Sequence, residues 1–185
     1  LRTPDPDRGL HTSDTVMRLD ELPARMVILG GGFVGCEFAH VFSAFGVQVT
    51  QVQRSELLLR GHERAISQAY TDAARAQYTV LTSTLVTSAT FADGVWSLTT
   101  AGPQGVQTLE AEAVLLATGR QPNGDQLAAP LGGMTVEPDG RIQVDEQQRT
   151  TAPGTWALGD VSTAWPLKHV ANHEARVVAH NLAVD

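Results

Sequence analysis

The sequence predicts an α/β protein with a Rossmann-like three-layer domain. Three observations predict it: a short apolar strand that ends in a glycine-rich turn, a helix with apolar periodicity directly after the turn, and a second apolar strand after the helix. Together they form one βαβ unit of about 30 residues, which implies a parallel sheet. Later apolar runs indicate an antiparallel meander and part of a second domain.

The first elements follow from hydrophobic period and turn residues. Residues 1–22, rich in Pro, Asp and Arg at their start, are predicted to be a leading linker with one helical turn near its end. Residues 26–29 suit a strand buried on both faces. Residues 33–45 repeat apolar side chains at helical spacing, and residues 47–52 form the second strand.

The next stretch predicts a second helix and a group of short strands. Residues 64–77 are predicted to be helical, followed by a third parallel strand at 78–81. Turn pairs such as Asp93-Gly94 then separate apolar runs, as in an antiparallel meander. These runs cover residues 85–91, 95–100 and 106–109, and a buried strand follows at 114–116.

The pattern of elements changes near residue 120, where we place a domain boundary. Residues 23–120 form the predicted Rossmann-like domain, and residues 121–185 form part of a second domain. Short strands are expected at 141–144 and 155–158. Residues 167–182 are predicted to be a helix whose packed face includes Val170, His173, Val177, Val178 and Leu182.

Composition excludes several classes of function. The net charge of −7 argues against a nucleic-acid binder, because phosphate contacts need surplus Lys and Arg. The one cysteine, Cys36, allows no internal disulfide and no CxxC pair. No apolar run is long enough to cross a membrane and no signal peptide is evident, so a cytoplasmic location is expected. Three histidines of the last helix lack further ligands at metal-site spacing, and no metal is expected.

The glycine-rich turn carries the strongest single motif. Gly30-Gly31-Gly32-Phe33-Val34-Gly35 fits G-x-G-x-x-G, in which the first glycine allows the turn, the second admits a pyrophosphate and the third lets helix and strand pack closely. The helix that follows offers free N–H groups to the phosphates. Such a motif is weak alone, but its place between strand and helix favours a dinucleotide site.

The end of the second strand indicates the coenzyme. An NAD site carries an acid there for the ribose 2′-hydroxyl, whereas this chain has Gln53 followed by Arg54. Arg54 and Arg60 suit a 2′-phosphate, and we therefore expect NADPH. Glu56, between them, is the one discordant charge.

Three motifs in order resemble those of the pyridine nucleotide-disulfide oxidoreductases, the relatives of glutathione reductase. They are residues 30–37 with the two arginines, residues 117–123 (ATGRQPN) and residues 157–160 (ALGD). The segments 11–18, 37–44 and 167–176 further resemble members that reduce the disulfide of a low-molecular-weight thiol. The resemblance covers nearly the whole chain and implies FAD as a second cofactor.

The resemblance also implies roles at the coenzyme. Phe33 matches an aromatic residue that gates the nicotinamide pocket, and Glu37 matches an acid near the nicotinamide and flavin rings. Arg54 and Arg60 match the clamp on the 2′-phosphate. In the same way, positions against the coenzyme are implied for Gly30, Gly32, Val34, Gly35, Gly119 and Arg120.

Two further positions are implied at the flavin. Asp160 matches the acid that bonds the ribityl chain of FAD. Lys168 falls where a backbone N–H at a helix start faces the flavin, and a helix N-terminus stabilises the charge of reduced flavin.

The resemblance also defines what this stretch lacks. The FAD fingerprint, the C-x4-C redox pair and the His-Glu pair of the family are not in it, so we expect no catalytic residue here beyond support from Glu37, and no reductase activity from this portion alone. A small-molecule disulfide substrate and a homodimeric full-length enzyme are expected. The alternatives are another reductase of the family, of the glutathione, mercuric or dihydrolipoamide type, and a non-catalytic dinucleotide-binding module. A methyltransferase domain is disfavoured by the missing second-strand acid.

Overall fold

The computed structural model describes residues 3–184. It contains the predicted βαβ unit, meander and last helix, and it adds a short strand in the leading segment. Eight strands and three α-helices lie within that range. They are β1 (Leu10–His11), β2 (Arg25–Leu29), α1 (Phe33–Ala44), β3 (Gln48–Val52), α2 (Arg64–Arg75), β4 (Thr79–Leu81), β5 (Leu85–Ala92), β6 (Val95–Gly102), β7 (Gly105–Ala111), β8 (Ala113–Leu116) and α3 (Lys168–Val184).

The first ten of these elements form three layers. A parallel sheet has the strand order β1-β8-β2-β3-β4, and an antiparallel meander has the order β5-β6-β7. Helix residues such as Ala39 and Phe42 pack on one face of the parallel sheet. Trp96 and Leu98 of the meander pack on the other face. The predicted fold class, a Rossmann-like α/β domain with a meander, is confirmed.

The leading segment is more structured than its composition predicts. Leu10 and His11 are buried in β1, which pairs in parallel with β8, and Val16 joins the core. The Trp96 indole N–H donates to the carbonyl oxygen of Arg8 at 2.6 Å, which fastens the segment to the meander. A two-residue strand is too short to show a period, so its burial depends on tertiary partners that sequence pattern does not reveal.

The chain divides into two compact units, residues 1–119 and residues 120–185. The second unit has a small core around Ala129, Ile142 and Ala157. The short strands expected at 141–144 and 155–158 are isolated bridges instead, because each makes only single pairings, such as Ile142 with Val136.

Helix α3 buries only part of the face that was predicted. Val178 is buried as expected, but His173 and Leu182 are exposed, and Glu174 is buried instead. The apolar pattern missed Glu174 because its side chain is a carboxylate, which is held inside by a hydrogen bond from the backbone N–H of Gly159.

An ion-pair cluster joins strands at the amino end of the parallel sheet. The Arg25 guanidinium donates from Nε and Nη2 to the Glu112 carboxylate at 3.1 and 2.7 Å, and its Nη1 donates to Glu110 at 2.9 Å. The Arg25 backbone N–H also donates to Glu112, at 2.7 Å. These bonds hold the pKa of the Glu112 carboxyl below its usual value.

We expect Glu112→Gln to lower the melting temperature at pH 7 by a few degrees and to flatten its decline in acid. A carboxyl whose pKa is lowered by folding adds stability above its unfolded pKa, and that stability is lost as the pH falls through the folded pKa. Thermal unfolding between pH 7 and pH 3 measures the effect. Glu21→Gln is the control, since Glu21 is exposed and has no ion pair among residues 3–184. Parallel curves for Glu112→Gln and the native protein would contradict the prediction.

Candidate functional site

The glycine-rich loop connects β2 to α1, and two of its glycines are required by packing. Gly30 has φ of +120°, and a Cβ there would collide with the carbonyl oxygen of Ala117. A Cβ on Gly35 would collide with the carbonyl oxygen of Gly30. These close approaches let α1 start directly against the end of β2, as the motif predicts.

Two other glycines border open space instead. A Cβ on Gly32 or on Gly119 would meet no atom within 4 Å. Gly32 is the N-cap of α1 and has an ordinary extended backbone, so nothing inside the fold demands glycine there. A bound group that approaches the backbone would supply the missing reason.

The carbonyl groups of the loop accept hydrogen bonds, whereas N–H groups at the start of α1 have no acceptor in the helix. The Gly31 carbonyl accepts the Leu59 backbone N–H at 2.6 Å, and the Gly32 carbonyl accepts that of Cys36 at 3.0 Å. The N–H groups of residues 33–35, in the first turn of α1, have no acceptor within the helix. A helix start with free N–H groups and a partial positive charge suits a phosphate.

The segment after β3 presents two arginines. Arg54 and Arg60 are exposed, and neither has a carboxylate within 4 Å among the described residues. Glu56, the discordant charge, is instead paired with Arg64 at 3.0 Å. The hydrogen bond from Leu59 to Gly31 attaches the segment that carries Arg60 to the glycine-rich loop.

Gln53 occupies the place where an acid would bind a ribose hydroxyl. Its Oε1 accepts the Arg54 backbone N–H at 3.1 Å, and its Nε2 donates to Ser55 Oγ at 3.3 Å. Its side chain also lies close to Gly31, because a Cβ built on Gly31 would be 2.9 Å from the Gln53 Cδ atom. Gln53 thus folds over its own turn and brings no negative charge to the site.

The start of α1 exposes an aromatic ring and an acid on one face. Phe33 is 47% exposed, and Glu37, one turn later, is also exposed. Residues four apart lie side by side on a helix, so these two side chains face the same direction. Val34, between them, is half-buried.

Cys36 lies on the inner side of the same helix. The thiol is buried, and that burial raises its pKa. Burial therefore outweighs any lowering by the helix start, and the group is a poor nucleophile.

In the second unit the structure brings Arg120 and Asp160 together. Arg120 Nη2 lies 2.9 Å from Asp160 Oδ2, although the sequence assigned them to different cofactors. Both side chains are largely exposed, so the pair contributes little to stability and its members are available to a ligand.

Glu174 is a buried group that the sequence reasoning missed. Its Oε2 accepts the backbone N–H of Gly159 at 2.7 Å, which fixes the turn before Asp160. The signal in the sequence was the position of Glu174, which lies four residues before the buried Val178 and so on the same side of α3. The apolar pattern alone did not assign a carboxylate to that side. At the start of α3, Lys168 is exposed, and the backbone N–H groups of Lys168 and His169 have no backbone acceptor among residues 3–184.

We expect Glu174→Leu to destabilise the second unit by about 1–3 kcal/mol, because a buried N–H loses its acceptor. Glu174→Gln keeps an acceptor oxygen and should lose less. Thermal unfolding of both variants measures the difference. Equal melting temperatures for the two variants would show that the hydrogen bond to Gly159 does not matter.

Neither a metal site nor a membrane span is evident within the described range. Residues 3–184 bring no three His, Cys, Asp or Glu side chains into a metal-binding group. None of the described helices combines the length and the apolar character needed to cross a bilayer.

Known families and proteins resemble the chain over nearly its whole length. The family described as pyridine nucleotide-disulphide oxidoreductase matches residues 7–175. Mycothione reductase of Mycobacterium tuberculosis is 50% identical over 176 residues, which are 95% of this chain and 37% of that protein. Dihydrolipoyl dehydrogenase of Staphylococcus aureus is 32% identical over 168 residues, covering 90% of this chain and 36% of that protein.

Solved structures resemble it as well. The HOCl-induced flavoprotein disulfide reductase RclA from Escherichia coli superposes with a TM-score of 0.85 at 29% identity, covering 98% of this chain and 42% of that one. The Cu(II) complex of the same reductase superposes with a TM-score of 0.84 at 30% identity, covering 94% of this chain and 40% of that one. The chain thus spans well under half the length of these relatives.

Proposed function

Since the chain belongs to the pyridine nucleotide-disulphide oxidoreductase family, we propose that it is the NADPH-binding portion of an FAD-dependent disulfide reductase. In that reaction NADPH supplies a hydride, and the flavin and a redox dithiol carry its two electrons to a disulfide. The role of this portion is to bind NADPH and to hold its nicotinamide toward the flavin. The family resemblance drawn from the three motifs is confirmed.

One observation carries the proposal: the open space at Gly32 lies beside free N–H groups at the start of α1. A pyrophosphate needs close backbone approach and hydrogen-bond donors, and this loop offers both. Gly30 and Gly35 shape the loop, and Val34 belongs to its first helical turn.

The coenzyme preference rests on the charges after β3. Arg54 and Arg60 are free of carboxylate partners in the described chain, while Arg64 neutralises Glu56. Two exposed guanidinium groups without partners suit the 2′-phosphate of NADPH. Gln53 is uncharged and therefore does not repel the 2′-phosphate.

We assign further positions to the nicotinamide and the flavin. Phe33 and Glu37 share an exposed helix face, which suits an aromatic gate and an acid beside the reacting rings. Asp160 would bond the ribityl chain of FAD. The free N–H groups that begin α3, near Lys168, would face the flavin pyrimidine ring.

The proposed substrate is mycothione, the disulfide of mycothiol. The support is the 50% identity to a mycothione reductase, against 32% to a dihydrolipoyl dehydrogenase. Another member of the family, including the dihydrolipoamide type, is the alternative. We also propose that the full-length enzyme is a homodimer and cytoplasmic.

Coenzyme titration tests the proposal. Intrinsic tryptophan fluorescence or calorimetry should show that the protein binds NADPH more tightly than NADH, and FAD-loaded full-length enzyme should reduce mycothione with NADPH. Equal affinity for the two coenzymes would refute the stated preference. Binding of neither would refute the assignment of the site, and turnover of dihydrolipoamide instead of mycothione would refute the substrate.

A further inference from the structure

Gln51 is buried in the core beneath the glycine-rich loop, at a position that favours an apolar residue. It is the fourth residue of β3, has 0% exposure and lies between the core residues Val49 and Val52. Central parallel strands are usually continuous apolar runs, because both of their faces are buried. A polar side chain there is unfavourable unless its amide is bonded.

The amide of Gln51 is only partly satisfied, and its one strong bond goes to the loop. Nε2 donates to the carbonyl oxygen of Gly30 at 2.9 Å, and it lies 3.7 Å from the sulfur of Cys36. Oε1 is buried and has no hydrogen-bond partner in the described part of the chain. The opposite amide orientation would place two oxygens against each other at Gly30, so the bond to Gly30 fixes the orientation of the group.

This bond fits the packing of the loop. A Cβ on Gly35 would lie 3.2 Å from Gln51 Nε2, in addition to its collision with the Gly30 carbonyl oxygen. The Gly30 carbonyl, the Gln51 amide and the start of α1 therefore occupy one small volume. Removing the amide would release the Gly30 carbonyl from its inward position.

The direction of a carbonyl also sets the direction of the next N–H. In a planar trans peptide the C=O of one residue and the N–H of the next point in opposite directions. With the Gly30 carbonyl held toward Gln51, the Gly31 N–H points away from Gln51. The bond from Leu59 to the Gly31 carbonyl acts in the same way on the Gly32 N–H.

We propose that Gln51 is a positioning residue for the coenzyme: its buried amide orients the Gly30–Gly31 peptide so that the loop presents its N–H groups to the pyrophosphate. The inference rests on the proposed function, because it assumes a dinucleotide at this loop. An apolar side chain would remove the unpaired Oε1 but would take the donor away from the Gly30 carbonyl oxygen, so glutamine exchanges one unpaired oxygen for another and stability alone does not favour it.

Gln51→Met tests the inference, because methionine matches glutamine in length but donates no hydrogen bond. In the intact protein we expect the Kd values for NADPH and for NADH to rise by the same factor, about two- to tenfold, since the pyrophosphate is common to both. Hydrogen exchange at the Leu59 N–H, which donates to the Gly31 carbonyl, should become faster without coenzyme. Gln51→Leu is a second variant in case methionine disturbs the core. We expect it to raise both Kd values in the same way.

Thr100→Val is the matched control. Thr100 is 1% exposed, lies in the meander and donates to the Gln107 carbonyl, so its loss removes a buried hydrogen bond far from the loop along the chain. It should change the melting temperature but neither Kd. Unchanged Kd values in both Gln51 variants, or an equal loss in Thr100→Val, would overturn the positioning role while leaving the proposed function intact. Absence of coenzyme binding by the native protein would overturn both.

Discussion

Gly32→Asp is expected to abolish useful NADPH binding, with a Kd that rises on the order of 100-fold or more, and to leave the protein at least as stable as before. Gly32 is the N-cap of α1 with φ of −79° and ψ of 177°, and a Cβ there meets nothing. Aspartate is a favourable N-cap and complements the helix dipole. Its carboxylate would, however, fill and charge the space assigned to the pyrophosphate.

Two comparisons separate the causes of that loss. Gly32→Ala adds bulk without charge and should weaken binding less than aspartate does. Gln104→Asp adds the same negative charge in the exposed turn between β6 and β7 and should leave binding unchanged. Calorimetric titration gives the Kd values, and thermal unfolding gives the stability. A Gly32→Asp variant that binds NADPH normally would place the phosphates elsewhere.

The second large effect is expected at the arginines after β3. Each of Arg54→Ala and Arg60→Ala should lower the preference for NADPH over NADH by about 10- to 100-fold, the value of a charge-assisted hydrogen bond. The affinity for NADH should stay the same, because NADH lacks the 2′-phosphate. The double variant should bind both coenzymes about equally.

Arg149→Ala is the control for the arginine variants. Arg149 is also exposed, but its guanidinium bonds to Asp145 and Gln147 within residues 120–185. Its loss should change neither affinity. Raising the salt concentration should weaken NADPH binding more than NADH binding in the native protein, and the difference should vanish in the double variant. A ratio that survives the loss of both arginines would refute their role.

Much of the fold could be predicted because its signals are local. The apolar periodicity predicted α1 to within one residue of its end. Gly46, which has φ of +87°, follows the helix at the position expected for a C-cap glycine. The meander was marked by turn pairs such as Asp93-Gly94. Signals of this kind depend on neighbours in sequence, so pattern reasoning can find them.

The remainder depends on partners distant in sequence. β1 is a strand only because β8 and the meander cover Leu10, and Glu174 is buried in α3 because it bonds to Gly159. At the candidate site, the motif predicted the glycines and the arginines. It could not predict that Glu56 is paired with Arg64, or that Gln51 reaches the Gly30 carbonyl, because both contacts need the fold.

The pairing of β1 with β8 has a consequence for how such a unit can be transplanted. Leu10 lies opposite Val114 and the two strands are parallel, so the backbone enters residues 1–119 at the amino edge of the sheet and leaves it at the carboxyl edge. A host protein that receives this unit must therefore offer attachment points separated by the length of a strand. A cut at residue 23 would discard an edge strand and uncover the side of β8. A cassette for grafting should therefore begin before residue 6, where the turn that precedes β1 starts.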